Sequence, residues 1–226
     1  MKFVHIAVAV LLAAAPIAIQ GAIHTNWVVV VGTDTGYPSA TLDLINTGSA
    51  ALESEQHDDY ESYTGATGTS SPTNLNDGTT GGDNIVGDIA LDLSNGWTST
   101  YILDTTTARA GYHVTKIQTI CGWTAPLGDQ RYEVFYSTAS APDSFISIGS
   151  FACSTNVPSD QYTTRITITD DDDDGDADYE DGIVASNTKK IRFVFDNIPG
   201  YDYTACYREM DVFGDPAPTG TMIVVR

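Results

Sequence analysis

The feature that most constrains the fold is a series of short β-rich segments, each bounded by glycine, proline, asparagine or aspartate. Eight of them follow residue 85, at 89–93, 98–103, 114–120, 131–137, 145–151, 162–169, 190–195 and 206–213. Polar and apolar residues alternate most clearly at 166–169 and 191–195, which is typical of strands with one buried face. Beyond the N-terminus no segment has a helical period. We therefore predict an all-β fold, a jelly-roll β-sandwich of about eight antiparallel strands.

The N-terminus has the layout of a secretory signal peptide. Lys2 precedes an apolar run that ends at Ile19, and small residues follow at Gly21 and Ala22. A run of about 17 residues is at the lower limit for a membrane span, so an anchor is the alternative interpretation. We expect residues 1–22 to be removed. The mature protein would then be secreted or held at the cell surface, without insertion into the membrane.

The rest of the chain divides by composition. A β-branched run at 27–31 is followed by residues 47–84, which are rich in Gly, Ser, Thr, Asn and Asp and suit loops with room for one short strand. We predict an N-terminal strand and polar loop extension at 23–70, a β-sandwich at 71–215 and a C-terminal tail at 216–226. Whether the extension joins the sandwich or forms a stalk stays open at this point.

The charge limits the kinds of binding partner, and the cysteine content limits the possible disulfides. The formal net charge is −20, from 10 basic and 30 acidic residues, so the surface repels nucleic acid and attracts cations. Export into an oxidising compartment allows one disulfide among Cys121, Cys153 and Cys206, with three pairings open.

Four motifs, in order, resemble the galactose-binding-like family, the discoidin or F5/8 type C group. They are Thr-Asn-Leu-Asn-Asp-Gly-Thr-Thr at 73–80, Arg-Tyr-Glu-Val-Phe-Tyr-Ser at 131–137, Lys-Ile-Arg-Phe at 190–193 and Tyr-Arg-Glu-Met-Asp-Val-Phe-Gly at 207–214. The resemblance covers residues 73–214. It implies an eight-stranded jelly roll with two antiparallel sheets face to face, ligand-binding loops at one end, and a non-catalytic role in adhesion or carbohydrate binding.

The same resemblance implies a Ca²⁺ site at the Asp-Gly loop. Asp77 and Thr80 would supply oxygens from the loop, and Glu209 would supply a carboxylate from the closing strand. Calcium takes six to eight hard oxygens, including backbone carbonyls, so a turn and a distant acid suit it. The alternative is an Asx-type turn that satisfies its own backbone, with Glu209 exposed.

Spacing alone suggests a second Ca²⁺ site in an acidic segment. Aspartates stand at positions 1, 3, 5, 7 and 12 of a calcium-loop pattern, and Gly175 stands at position 6. The five candidate ligands are Asp170, Asp172, Asp174, Asp176 and Asp181. The alternative is a solvated acidic hairpin tip.

Candidate ligand-binding residues combine aromatic rings with a polar partner, because sugars offer apolar carbons and hydroxyl groups. Tyr201 and Tyr203 lie in a Gly- and Pro-bounded loop, and Trp123 and Arg131 flank another loop. Packing is the alternative role for the aromatic residues, Trp123 in particular.

No catalytic motif is present, so we predict a protein that is not an enzyme. The predicted function is a secreted, calcium-stabilised module that binds carbohydrate or a cell-surface or matrix polymer. The alternative is a structural subunit that self-associates in a surface, matrix or filament assembly. A degradative enzyme with a carboxylate pair is a third hypothesis.

Overall fold

The computed structural model describes residues 23–31, 43–46, 50–56, 75–78, 89–91, 97–124, 128–154, 161–170, 182–196 and 205–219. These residues form ten β-strands. The strands are β1 (Ile23–Val31), β2 (Ala50–Gln56), β3 (Ile89–Leu91), β4 (Trp97–Leu103), β5 (Tyr112–Thr124), β6 (Gln130–Thr138), β7 (Ala141–Cys153), β8 (Gln161–Asp170), β9 (Ala185–Phe195) and β10 (Ala205–Pro216). The all-β prediction is confirmed, and each of the eight predicted segments corresponds to one of β3 to β10.

The strands form two layers. One layer has the order β1-β8-β5-β10-β3, and the other has the order β2-β4-β9-β6-β7. Every strand pair in the described part of the chain is antiparallel. We call the first layer sheet I and the second sheet II. Together they are the sandwich that the alternating pattern predicted.

A short pairing at one corner joins the two sheets into one curled sheet. Tyr112 pairs with Thr188 and Val114 pairs with Ala185, so the first residues of β5 meet the first residues of β9. Gly111 precedes this corner with φ +90°, and a Cβ there would lie 2.4 Å from the carbonyl oxygen of Asn187. Glycine is therefore required at this turn for both its backbone angle and its lack of a side chain.

Aromatic side chains hold the two sheets together. Tyr207 of sheet I packs edge-on against Phe195 of sheet II, with ring centroids 4.6 Å apart. The Tyr207 ring also lies 6.3 Å from Tyr132, which in turn lies 6.2 Å from Phe193. All four rings are buried, so alternate positions on β6, β9 and β10 provide the large apolar surface that stabilises the layers.

A buried polar bridge crosses the same interior. The Thr119 hydroxyl on β5 lies 2.8 Å from the Tyr132 hydroxyl on β6 and donates to Gln130 Oε1 at 2.7 Å. The Gln130 amide donates onward to Thr164 Oγ1 on β8 at 2.9 Å. Since buried polar groups cost free energy unless they are paired, this bridge favours one alignment of β6 over β5 and β8.

The N-terminal strands belong to the sandwich. β1 pairs with β8 at nine successive positions, from Ile23 opposite Asp170 to Val31 opposite Tyr162. β2 pairs with β4 in sheet II. The described strands of the 23–70 segment are therefore sheet members rather than part of a stalk.

The three cysteines are buried thiols that form no disulfide. Burial and, to a smaller extent, the nearby Asp129 carboxylate raise the pKa of Cys153 to about 11, so its thiol stays protonated at neutral pH. None of the pairings that the sequence allowed is formed.

Candidate functional site

Strand directions bring the predicted ligand-binding positions to one end of the sandwich. β5 ends at Thr124 opposite the start of β8, and β6 starts at Gln130 opposite the end of β7. β9 ends at Phe195 opposite Tyr132, close to the start of β10 at Ala205. We call this the upper end. Trp123 and Arg131 lie there, and so do the strand ends that flank the segment containing Tyr201 and Tyr203.

Arg131 has the best-defined geometry of these residues. Its Nε lies 3.0 Å from Asp196 Oδ2, and the two side chains are 44% and 55% exposed. The backbones are joined as well, because the Asp196 N–H donates to the Arg131 carbonyl at 3.0 Å. The Arg131 N–H donates to the Tyr207 hydroxyl at 3.2 Å. The guanidinium group is thus oriented while part of it still faces solvent.

The three aromatic candidates are less defined. The backbone of Trp123 pairs with Tyr162 near the end of β5, and its side chain lies outside the described residues. Tyr201 and Tyr203 also lie outside the described residues. Their role in ligand binding stays a prediction.

A buried polar cluster around Asp129 lies beside the strand ends of the upper end. Asp129 is 1% exposed and accepts hydrogen bonds from the Tyr162 hydroxyl at 2.8 Å and from Ser154 Oγ at 3.1 Å. Gly128 lies so close to the Tyr162 ring that a Cβ would come within 2.5 Å of it. Asp129 and Asp196 were not predicted, since an aspartate beside a strand is equally common in ordinary turns.

Glu209 forms the second candidate site, on β10. It is fully buried, which rules out the alternative in which this side chain is exposed. The Gly78 N–H donates to Glu209 Oε1 at 3.1 Å, so the Asp-Gly loop contacts the closing strand across a separation of 131 residues. Oε2 of Glu209 has no hydrogen-bond partner among the described residues.

Three further acids lie close enough to Glu209 to raise its pKa. Asp43 is 4% exposed, accepts from Ile45 N–H at 2.8 Å through Oδ1, and has no hydrogen-bond partner at Oδ2 within the described part of the chain. Asp211 accepts from the Gln118 amide at 3.1 Å. Asp77 is exposed at the turn beside Gly78. Asp43 and Asp211 were missed in the sequence, because nothing local marks them as neighbours of the Asp-Gly loop.

Electrostatics at this cluster favour a positive charge. Burial and, to a smaller extent, the carboxylates of Asp211, Asp77 and Asp43 raise the pKa of Glu209 to about 9, against the lowering effect of the Gly78 hydrogen bond. Burial also raises the pKa of Asp43, although backbone hydrogen bonds oppose that shift. A bound cation would relieve both costs, since it pairs with the ionised carboxylates.

The donor set suits a hard cation but is incomplete in the described part of the chain. No three His, Cys, Asp or Glu side chains among the described residues lie close enough to complete a metal shell. Calcium also uses backbone carbonyls and water, and Thr80 lies outside the described residues. Glu209 and Asp43 each have one buried carboxylate oxygen without a hydrogen-bond partner among the described residues, and such oxygens are of the type that Ca²⁺ binds.

The acidic segment is a separate place in the fold. Asp170 is the last residue of β8, at the end opposite the upper end, and its Oδ2 accepts from the Gly182 N–H at 3.1 Å. Asp172, Asp174, Asp176 and Asp181 lie outside the described residues. Metal binding by this segment stays a prediction, and Asp170 does not share a site with Glu209.

Comparisons with known proteins add little beyond this geometry. No family model and no curated protein matches the chain. Among solved structures, the C-terminal domain of a chitobiase from Bacteroides fragilis is similar, with a TM-score of 0.45 and 17% identity over 78% of this chain and 99% of that chain. A likeness of this extent is too weak to transfer a function. The galactose-binding-like resemblance of the four motifs stays a prediction at the level of the family.

The described residues contain no helix with the length and apolar character needed to cross a bilayer. The predicted signal peptide, residues 1–22, lies outside the described part of the chain.

Proposed function

We propose that this chain is an exported, non-catalytic module that binds carbohydrate, or another cell-surface or matrix polymer, through its upper end. The observation that carries the proposal is the convergence of strand ends on the half-exposed Arg131–Asp196 pair. Trp123 lies near the end of β5 at the same end, and the segment that contains Tyr201 and Tyr203 starts there as well.

The Arg131–Asp196 pair supports recognition of hydroxyl groups. A guanidinium group donates and a carboxylate accepts, so the pair offers both kinds of hydrogen bond that a sugar diol can make. Backbone hydrogen bonds already fix both residues, so little conformational entropy is lost when a ligand binds. We expect the aromatic ring of Trp123, Tyr201 or Tyr203 to cover the apolar face of a sugar ring.

We further propose that Ca²⁺ binds beside Glu209 and stabilises the module. Glu209 and Asp43 would supply side-chain oxygens, and Asp77 and Thr80 would supply oxygens from the Asp-Gly loop. The bound ion would supply charge balance for these acids and hold the loop against β10. The buried, unpartnered Oε2 of Glu209 supports this part of the proposal.

The ligand site is tested by titrating soluble polysaccharides into labelled protein and following backbone amide shifts. We expect the largest shifts at the upper end, around residues 128–132 and 195–207. Arg131→Ala should weaken binding by at least about tenfold, since a hydrogen bond to a charged group contributes about 1.5–3 kcal/mol.

The matched control is Arg109→Ala, which removes the same charge from an exposed turn at the opposite end. It should leave the affinity unchanged. Equal loss in both variants would mean that net charge governs binding rather than a site at the upper end. Shifts confined to another face would contradict the proposal.

A further inference from the structure

The outer strands of the two sheets differ in how well they are protected. An edge strand presents unpaired N–H and C=O groups, and proteins usually protect it by shortness, register shifts, proline or charge. Within the described part of the chain, β3 has 3 residues. β2 has a register shift and contains Glu53 and Glu55. β7 has two register shifts and contains Pro142 and Asp143.

β1 carries none of these protections. Its sequence, IHTNWVVVV, contains no charged residue, no proline and no glycine. It is 9 residues long and pairs one to one with β8 over its whole length, and among the described residues no strand pairs with its other edge. The side chains of His24, Thr25 and Asn26 are exposed. Long, uncharged edges of high β-propensity readily add another strand.

We propose that β1 is an intermolecular pairing edge, at which a second copy of this chain adds its own β1 in an antiparallel arrangement. A two-fold axis at position 27 pairs all nine residues, with Thr25 opposite position 29 and Asn26 opposite position 28 of the other copy. The two copies of sheet I then form one continuous sheet. A closed two-fold contact of this kind yields a dimer and not an open filament.

An uncharged edge that can pair with itself at all nine positions favours a second copy as the occupant. With a net charge of −20, two copies repel each other over most of their surfaces, and an uncharged edge is where that repulsion is lowest. A basic partner would instead prefer the acidic surface elsewhere. In the paired dimer, the two β8 strands that carry Arg165 and Asp170 lie about 14 Å apart. That separation exceeds the Debye length of about 8 Å at physiological ionic strength.

The test is sedimentation equilibrium of the purified protein over a range of concentrations, together with hydrogen exchange. We expect a reversible monomer–dimer equilibrium and slower exchange of β1 amides as the dimer forms. Raising NaCl from about 20 to 500 mM should strengthen the dimer, because repulsion between the copies is screened.

Asn26→Asp should lower the association constant by at least about tenfold, since the two new carboxylates would lie about 7–8 Å apart on adjacent strands. Asn26→Lys should have the same effect, because the new charge on one copy lies close to the same charge on the other copy. The matched control is Ser147→Asp, an exposed position on the protected edge strand β7, which should leave the association constant unchanged.

Thermal unfolding of each variant is the control for folding. An unchanged unfolding midpoint shows that a variant has lost the dimer and kept the fold. A protein that stays monomeric at about 1 mM would overturn the proposal. Equal weakening by Ser147→Asp, a stronger dimer with Asn26→Lys, or slowed exchange at β7 in place of β1 would overturn it as well.

Discussion

Glu209 is held inside the protein on β10, with one carboxylate oxygen bonded to the Gly78 N–H and the other without a hydrogen-bond partner among the described residues. A buried carboxylate of this kind is costly when ionised and inexpensive when protonated. Its pKa in the metal-free protein is raised to about 9 from an ordinary value of 4.5. Between these two pH values, the folded state therefore holds a proton that the unfolded chain has already released.

Stability should therefore depend on pH through Glu209. Because the pKa of Glu209 is raised in the folded state, its protonation contributes to stability fully below pH 4.5. This contribution is lost as the pH rises towards 9. In a chelator, we expect the free energy of unfolding to fall between pH 5 and pH 8, with a slope of at most about 1.4 kcal/mol per pH unit. Urea unfolding at several pH values measures it. Glu209→Gln should flatten the slope.

Calcium should oppose the loss of stability at high pH, since the ion binds the ionised carboxylate of Glu209. At a hundred times its dissociation constant, a ligand of the folded state adds about 2.7 kcal/mol. We expect Ca²⁺ to raise the unfolding midpoint, more at pH 8 than at pH 5, and Glu209→Gln to abolish the rise. Asp215→Asn, an exposed acid on the same strand, should retain it. An unchanged midpoint in the wild-type protein would contradict the proposed site.

At the scale of elements, the corner between β5 and β9 decides how the two sheets join. The corner depends on Gly111, which has a left-handed backbone angle and lies against the carbonyl of Asn187. The Ala217 N–H also donates to the Gly111 carbonyl at 2.9 Å, so the end of β10 is attached to the same turn.

Gly111→Ala should therefore destabilise the protein by about 2 kcal/mol or more, because both the φ angle and the space exclude a Cβ. Thr107→Ala, at an exposed position in the same connection, should change the stability by less than about 0.5 kcal/mol. Chemical denaturation of the two variants provides the comparison. Similar losses would mean that the whole turn, and not the glycine, is sensitive.

For the whole molecule, the net charge of −20 is the property that most affects stability in different salt concentrations. Self-repulsion of this size destabilises a compact state, and salt screens it. In the presence of a chelator, NaCl from about 20 to 500 mM should raise the unfolding midpoint of the protein. Measuring the monomer at low concentration, with Asn26→Asp as the dimer-deficient form, separates this effect from dimerisation. A midpoint that falls with salt would indicate that attractive ion pairs outweigh the repulsion.

Much of the fold can be read from local sequence because strand signals are local. The alternation at 166–169 and at 191–195, and the turn residues between segments, predicted strands that correspond to β3 to β10. β2 was harder to predict, since Glu53 and Glu55 lie in a stretch dominated by loop residues and the strand forms through pairing with β4.

What only the tertiary structure decided is which distant residues meet. Asp43 accepts a hydrogen bond from the Val212 N–H, 169 residues away, and Glu209 accepts one from the Gly78 N–H, 131 residues away. No local pattern could therefore identify Asp43 or Asp211 as neighbours of the Asp-Gly loop. The Arg131–Asp196 pair likewise depends on β6 lying beside β9. The position of β1 as an outer strand of sheet I, among the strands that the structure describes, is defined by the strand order. The sequence by itself determined most of the strands, the charge and the Asp-Gly loop motif, because these depend on residues close together in the chain. The sites depend on long-range packing.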